Sequence, residues 1–203
     1  SPLLGVLVTY VDDLLILCKQ GRVRQGLLAA LVSLWECSAE SVLAFGYPIT
    51  FCGLEIEWGD AAFSNIKVHQ TKYIAQLLAK YDLVNSKTCT CVAMPKELDE
   101  DEPSGQELKE LQMRAGELNW LATRSRPDIS YFVSVLASTL KKHKHWALML
   151  AQKVLRYLAG TRTVGLTYFK GSVDTTGTHT GASGTHTGAF LQTLTLDVFS
   201  DAG

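Results

Sequence analysis

The chain has 203 residues, of which 47% are hydrophobic and 19% charged, enough to bury a core in one large domain or two small ones. Its formal net charge of −1 speaks against the strongly basic footprint of a free-standing nucleic-acid binder. Five scattered cysteines (Cys18, Cys37, Cys52, Cys89 and Cys91) suit reduced intracellular thiols rather than a disulfide framework, and Cys89 and Cys91 lack the second pair a structural zinc would need.

In chain order, residues 3–10 and 14–18 read as two strands buried on both faces, meeting at Val11-Asp12-Asp13. The two carboxylates interrupt the longest apolar stretch and exclude a comfortable membrane span. After Gly21, Leu27, Leu28, Leu31 and Trp35 fall on one helical stripe. Leu54, Ile56 and Trp58 then alternate with Glu55 and Glu57 as a half-buried strand, and Ile66 and Val68 return beyond a Gly59-Asp60 turn. From Gln70 the period becomes helical, with Tyr73, Ile74, Leu77, Leu78 and Tyr81 sharing a face. An acidic loop over 97–102 precedes a capping box formed by Ser104 and Glu107, with Leu108, Leu111, Ala115 and Leu118 behind it.

Pro127 suits the first turn of a further helix whose buried stripe is Ile129, Phe132, Val133, Leu136 and Leu140. Arg124 and Arg126 lie close enough to Asp128 to pair with it near that helix start. A last helix spans about 146–158, with Gly160 as its C-terminal cap. Residues 177–190 carry a tandem GTHTGAS/GTHTGAF repeat that cannot bury a core and reads as a linker; residues 191–200 alternate like a strand. The chain begins at Ser1 without a methionine or a signal-peptide pattern and stops at Gly203 in the middle of a strand-like run, so both ends are expected to be cut from a longer protein.

Tyr10-Val11-Asp12-Asp13 carries the most chemistry. Two-residue hairpins favour Asn-Gly or Asp-Gly, because the turn needs positive φ. Side-by-side aspartates between apolar strands repel unless a cation neutralises them, and hard oxygen donors of this kind suit Mg²⁺. Two-metal phosphoryl transfer has this need, with metals roughly 3.5–4 Å apart. A solvent-facing acidic turn between core strands fits the same spacing. The basic run Lys141, Lys142, His143, Lys144, His145 reads either as phosphate contacts or as a solvated helix connection.

Tyr-Val-Asp-Asp between apolar strands resembles the signature of reverse transcriptases, and the later blocks resemble the Pol polyprotein of copia-type retrotransposons. Phe51-Cys52-Gly53-Leu54-Glu55-Ile56 is similar to that family's Phe-Leu-Gly-Ile-Glu-Ile strand, with Cys52 in place of leucine. Gln70, Lys72-Tyr73-Ile74 and Leu77-Leu78 resemble the start of its thumb. Arg126-Pro127-Asp128-Ile129 resembles its Arg-Pro-Asp-Ile block, with an extra Arg124-Ser125 ahead of it. His145-Trp146 and Leu155 to Thr161 resemble the helix before its RNase H, and Ser200-Asp201-Ala202 the opening of that RNase H. The 177–190 repeat departs from the pattern.

The resemblance implies an α+β fold: a partial palm with catalytic and primer-grip-like hairpins over 1–69, a helical thumb and connection over 70–170, a linker over 171–190, and the first strand of an RNase H-like domain over 191–203. It implies an RNA-directed DNA polymerase located in a cytoplasmic particle or the nucleus. Its partners would be an RNA template, RNA–DNA hybrid and deoxynucleotides. Asp12 and Asp13 would be catalytic and bind Mg²⁺, Asp201 would be an RNase H carboxylate, and Tyr10, Phe51, Gly53 and Leu54 would touch nucleic acid; the charge of the basic run, on its phosphate-contact reading, adds Lys141, Lys142 and Lys144. Reverse transcriptases also carry a third catalytic aspartate upstream. With only eleven residues before Asp12, this stretch alone is expected to be inactive. A non-catalytic hybrid-binding remnant or a decayed copy of the element is the alternative.

Overall fold

The computed structural model describes residues 4–19, 21–96 and 100–170, together with the backbone of 194–199. The tandem repeat, Asp201 and part of the acidic loop lie outside the described residues. The chain is α+β and forms two compact units, residues 1–68 with 167–203, and residues 69–166. Among the described residues no helix is long and apolar enough to cross a membrane.

The first unit holds two four-stranded sheets. Strands β1 (Gly5–Tyr10) and β2 (Asp13–Lys19) form an antiparallel hairpin in which Tyr10 pairs with Asp13, so the connecting loop is Val11-Asp12 alone. Asp13 is therefore the first residue of β2 rather than part of the turn. Helix α1 (Arg22–Leu34) follows, then β3 (Ser41–Val42). The first sheet runs β1-β2-β8-β3, where β8 (Leu194–Phe199) lies antiparallel to both β2 and β3. The second sheet runs β4-β5-β6-β7, from β4 (Ile49–Phe51), β5 (Leu54–Trp58), β6 (Asn65–His69) and β7 (Leu166–Phe169).

The two-residue period of β2 explains how this unit packs. Ile16 and Cys18, with Leu14, meet Leu27, Leu28 and Leu31 of α1. Leu15 and Leu17, on the opposite face, join Leu43, which follows β3, and Ile49, Phe51, Ile56 and Trp58 of the second sheet. A strand with apolar residues at successive positions is thus covered on both sides, as expected for 14–18.

The expectation of two-sided burial fails for β1. It is an edge strand with Val6, Leu7 and Val8 each about 40% exposed. An apolar run records what a strand is able to bury, whereas its place in the sheet decides what it does bury. Trp35 also departs from expectation: it ends α1 in extended backbone, 59% exposed, off the Leu27–Leu31 stripe. Glu55, which alternates with the apolar positions of β5, is buried as well.

The second unit is helical. Helices α2 (Thr71–Lys80), α3 (Gly105–Arg124), α4 (Ser130–Thr139) and α5 (Lys144–Gly160) share one core, with Ile74, Leu77, Leu78, Leu118, Leu121, Val133, Leu136, Leu150 and Leu155 among its members. The capping box is present in full: Ser104 Oγ accepts from the Glu107 amide at 3.4 Å, and Glu107 Oε2 accepts from the Ser104 amide at 2.9 Å. Pro127 opens a 3₁₀ turn (Pro127–Ile129) that leads into α4, where its missing N–H is no loss. Gly160 does not cap α5. It is the last helical residue, and a Cβ there would lie 3.2 Å from the Cys89 carbonyl oxygen and 3.3 Å from Thr88 Cβ. The close passage of the 88–89 segment, which donates the Cys89 amide to the Arg156 carbonyl, calls for the small residue.

Candidate functional site

In the first unit, the two hairpins that carry the informative motifs meet. Val11 adopts φ 51, a left-handed conformation costly for a β-branched residue, at the tip of the β1–β2 loop, where it is 85% exposed. Asp12 beside it is exposed, and Asp13 at the head of β2 is half-buried.

The β4–β5 hairpin closes through Cys52-Gly53, with φ 50 and 73, the paired positive values of a type I′ turn. Gly53 is thus a turn glycine and not a strand bulge. The backbone N–H of Cys52 donates to Asp13 Oδ2 at 3.1 Å. Asp13 lies on the same face of β2 as Leu15 and Leu17, so the packing that joins the two sheets also delivers its carboxylate to the turn.

The other expected contact residues of this unit flank that junction. Tyr10 pairs with Asp13 across the hairpin and is 51% exposed. Phe51 packs on the shared core, Leu54 is half-buried and Gly53 is exposed. Asp12 and Asp13 supply two adjacent hard oxygen donors. Mg²⁺ commonly takes one or two carboxylates and completes its shell with water and phosphate oxygens, so the pair fits such an ion in part. Among the described residues no group of three His, Cys, Asp or Glu side chains is placed to hold a metal.

In the second unit the expected lysines separate into two kinds. Lys141 and Lys142 are exposed between α4 and α5. Lys144 instead lies 3.3 Å from both Asp101 and Glu107, and the hydrogen bonds it donates to Glu107 and then Asp101 hold its ammonium above the usual lysine range. Glu107 is held below the ordinary carboxylate range, first by its bond from the Ser104 backbone. Lys144 therefore ties the loop before α3 to the start of α5. Lys141 also borders an open groove of about 580 Å³ between α3 and α4, whose lining includes Gln112, Gly116, Asn119 and Ser134.

Arg126 lies deeper in the fold than its spacing from Asp128 implies. Its guanidinium is wholly buried and donates to both oxygens of Asp128, at 2.9 and 2.7 Å, and to the carbonyl and hydroxyl of Thr161, at 2.9 and 2.8 Å. The Tyr157 hydroxyl donates to Asp128 Oδ2 at 2.8 Å. The pairing with Asp128 was readable from their spacing, but the depth of burial was not, because Thr161 and Tyr157 come from the far end of α5. Arg124, the other expected partner of Asp128, stacks over the Trp120 ring at 4.6 Å.

No family model and no solved structure matches the chain. It is similar to a transposon Ty5-1 protein of Saccharomyces cerevisiae, 31% identical over 168 residues that cover 82% of this chain and 52% of that protein. It is also similar to the retrovirus-related Pol polyprotein from transposon RE1 of Arabidopsis thaliana, 28% identical over 174 residues covering 82% of this chain and 11% of the polyprotein. An uncharacterized mitochondrial protein of Arabidopsis thaliana is 27% identical over 168 residues, 82% of this chain and 66% of its own length. The chain thus spans about half the length of the yeast relative and a small part of the RE1 polyprotein.

Proposed function

Because the chain belongs with the Pol polyproteins of copia-type retrotransposons, we propose that it is part of an RNA-directed DNA polymerase whose catalytic hairpin is β1–β2. The observation that carries this reading is the junction of that hairpin with the Cys52-Gly53 turn: adjacent carboxylates at a hairpin end, one of them held by a backbone N–H. Asp12 and Asp13 would hold Mg²⁺. When bound, the ion would neutralise phosphate charge and polarise a primer 3′-oxygen, the chemistry that displacement of pyrophosphate from a deoxynucleotide needs. The protein's own part is to present the two carboxylates at a fixed spacing.

Tyr10, Phe51, Gly53 and Leu54 flank this end of the unit and would take the primer terminus. Lys141 and Lys142 would meet phosphates of an RNA–DNA hybrid, an electrostatic contact that carries no sequence preference. Lys144, committed to Asp101 and Glu107, would contribute less. The names palm, thumb and RNase H for residues 1–69, 70–170 and 191–203, and a catalytic role for Asp201, belong to the same proposal.

The test is primer extension on an RNA template with Mg²⁺, in a Pol polyprotein that carries this stretch. Asp12→Asn and Asp13→Asn should each slow extension by at least ~100-fold, since each removes a charge that the transferring phosphoryl group requires. Extension retained in both variants would overturn the assignment.

A further inference from the structure

The β4–β5 turn does more than close its own hairpin. We propose that the Cys52 backbone N–H is a positioning donor for Asp13, holding Oδ2 so that Oδ1 is presented to a divalent cation. The inference rests on the reading of Asp12 and Asp13 as cation ligands and adds a division of labour between them.

Three observations support it. The bond spans 39 residues of sequence, so no local turn geometry produces it. The direction of the N–H is fixed by two successive left-handed residues, Cys52 at φ 50 and Gly53 at φ 73. A non-glycine residue in that region is held there by its surroundings, and such outliers concentrate at functional sites. Finally, Leu15 and Phe51 lie two residues and one residue from the bonded groups and pack in the same core, so neither partner can drift without disturbing it.

The two acids are consequently unequal. Asp12 is exposed on the loop, while Asp13 is half-buried and directed by its bond. A carboxylate already oriented loses less freedom when a cation arrives, which is how residues behind a first coordination shell raise affinity.

Mn²⁺, followed by electron paramagnetic resonance of the free ion, is the probe for the 203-residue chain. Cys52→Ala keeps the amide and should bind Mn²⁺ as the unsubstituted chain does. The same chain with an ester in place of the 51–52 peptide amide loses only the donor. Its affinity should fall by ~10- to 100-fold, the usual effect of losing the hydrogen-bond partner behind a metal ligand. In an Asp13→Asn background, where the acceptor charge is gone, the ester should add nothing.

An ester that leaves affinity unchanged while Asp13→Asn weakens it overturns the positioning role but leaves the proposed function standing. Mn²⁺ binding indifferent to both Asp12→Asn and Asp13→Asn overturns both. Should the ester chain fail to fold, hydrogen exchange on the unsubstituted chain decides. The Cys52 amide must be protected, and that protection must drop in Asp13→Ala, which has no side-chain acceptor; equal protection in the two chains overturns the proposal.

Discussion

Asp128→Asn should destabilise the helical unit more than any surface substitution near it. The guanidinium of Arg126 has no exposed surface, and Asp128 supplies the charge opposite it through two hydrogen bonds. Neutralising one partner of a buried pair leaves the other uncompensated and costs roughly 3–5 kcal/mol. The Asp128 side chain is 35% exposed, and asparagine can still accept one of the two bonds, so about 3 kcal/mol is the expected loss. At a urea dependence of about 2 kcal/mol per molar, the unfolding midpoint falls by about 1.5 M.

Acid should erase this difference. Burial raises the Asp128 pKa, but the hydrogen bonds from Arg126 and Tyr157 outweigh it and leave the carboxyl below its ordinary value of 3.8. A depressed folded value means that the stabilisation is complete above the unfolded value and is lost as pH falls through the folded one. The gap between the two proteins should therefore be constant at neutral pH and narrow below about pH 4. Urea unfolding followed by circular dichroism across that range is the assay. A neutral-pH gap under about 1 kcal/mol, or one that persists undiminished in acid, would refute the reasoning.

Two other substitutions have expected outcomes. Val11→Asn should stabilise the first unit by up to ~1 kcal/mol, because asparagine tolerates the left-handed backbone that strains valine; a lowered urea midpoint would contradict it. Replacing Lys141 and Lys142 together by glutamine should weaken RNA–DNA hybrid binding and reduce the slope of log affinity against log salt by about 2. Lys144→Gln should leave that slope nearly unchanged. Equal slopes for all the lysine variants in a filter-binding titration would remove the phosphate-contact reading.

What the sequence revealed divides along the range of the forces involved. The Ser104–Glu107 box, the Pro127 turn and the inward face of α2 depend on residues within about one helical turn of each other, and all were readable. The two-sided burial of β2 was readable as well. The same apolar signal misplaced β1, since hydrophobicity at Val6, Leu7 and Val8 does not say which strand lies at the sheet edge. The local context of Gly160 suits a cap, whereas its neighbour is the distant 88–89 segment. In the candidate site, Tyr10 to Asp13 and Phe51 to Leu54 each stood out as motifs. Their meeting through Asp13 and Cys52 did not, because a bond across 39 residues leaves no trace in either tetrapeptide.

The two-sided wall made by β2 has an evolutionary corollary. Losing or gaining one codon between Asp13 and Leu17 would swap every later side chain to the opposite face, sending Leu15 toward α1 and uncoupling the carboxylate from the apolar positions that aim it. Deleting two codons would keep the alternation and shorten only the ribbon. Among diverging genomic copies of this sequence, in-frame length changes within the strand should therefore survive in pairs of residues and vanish as singles wherever the hairpin is still under selection.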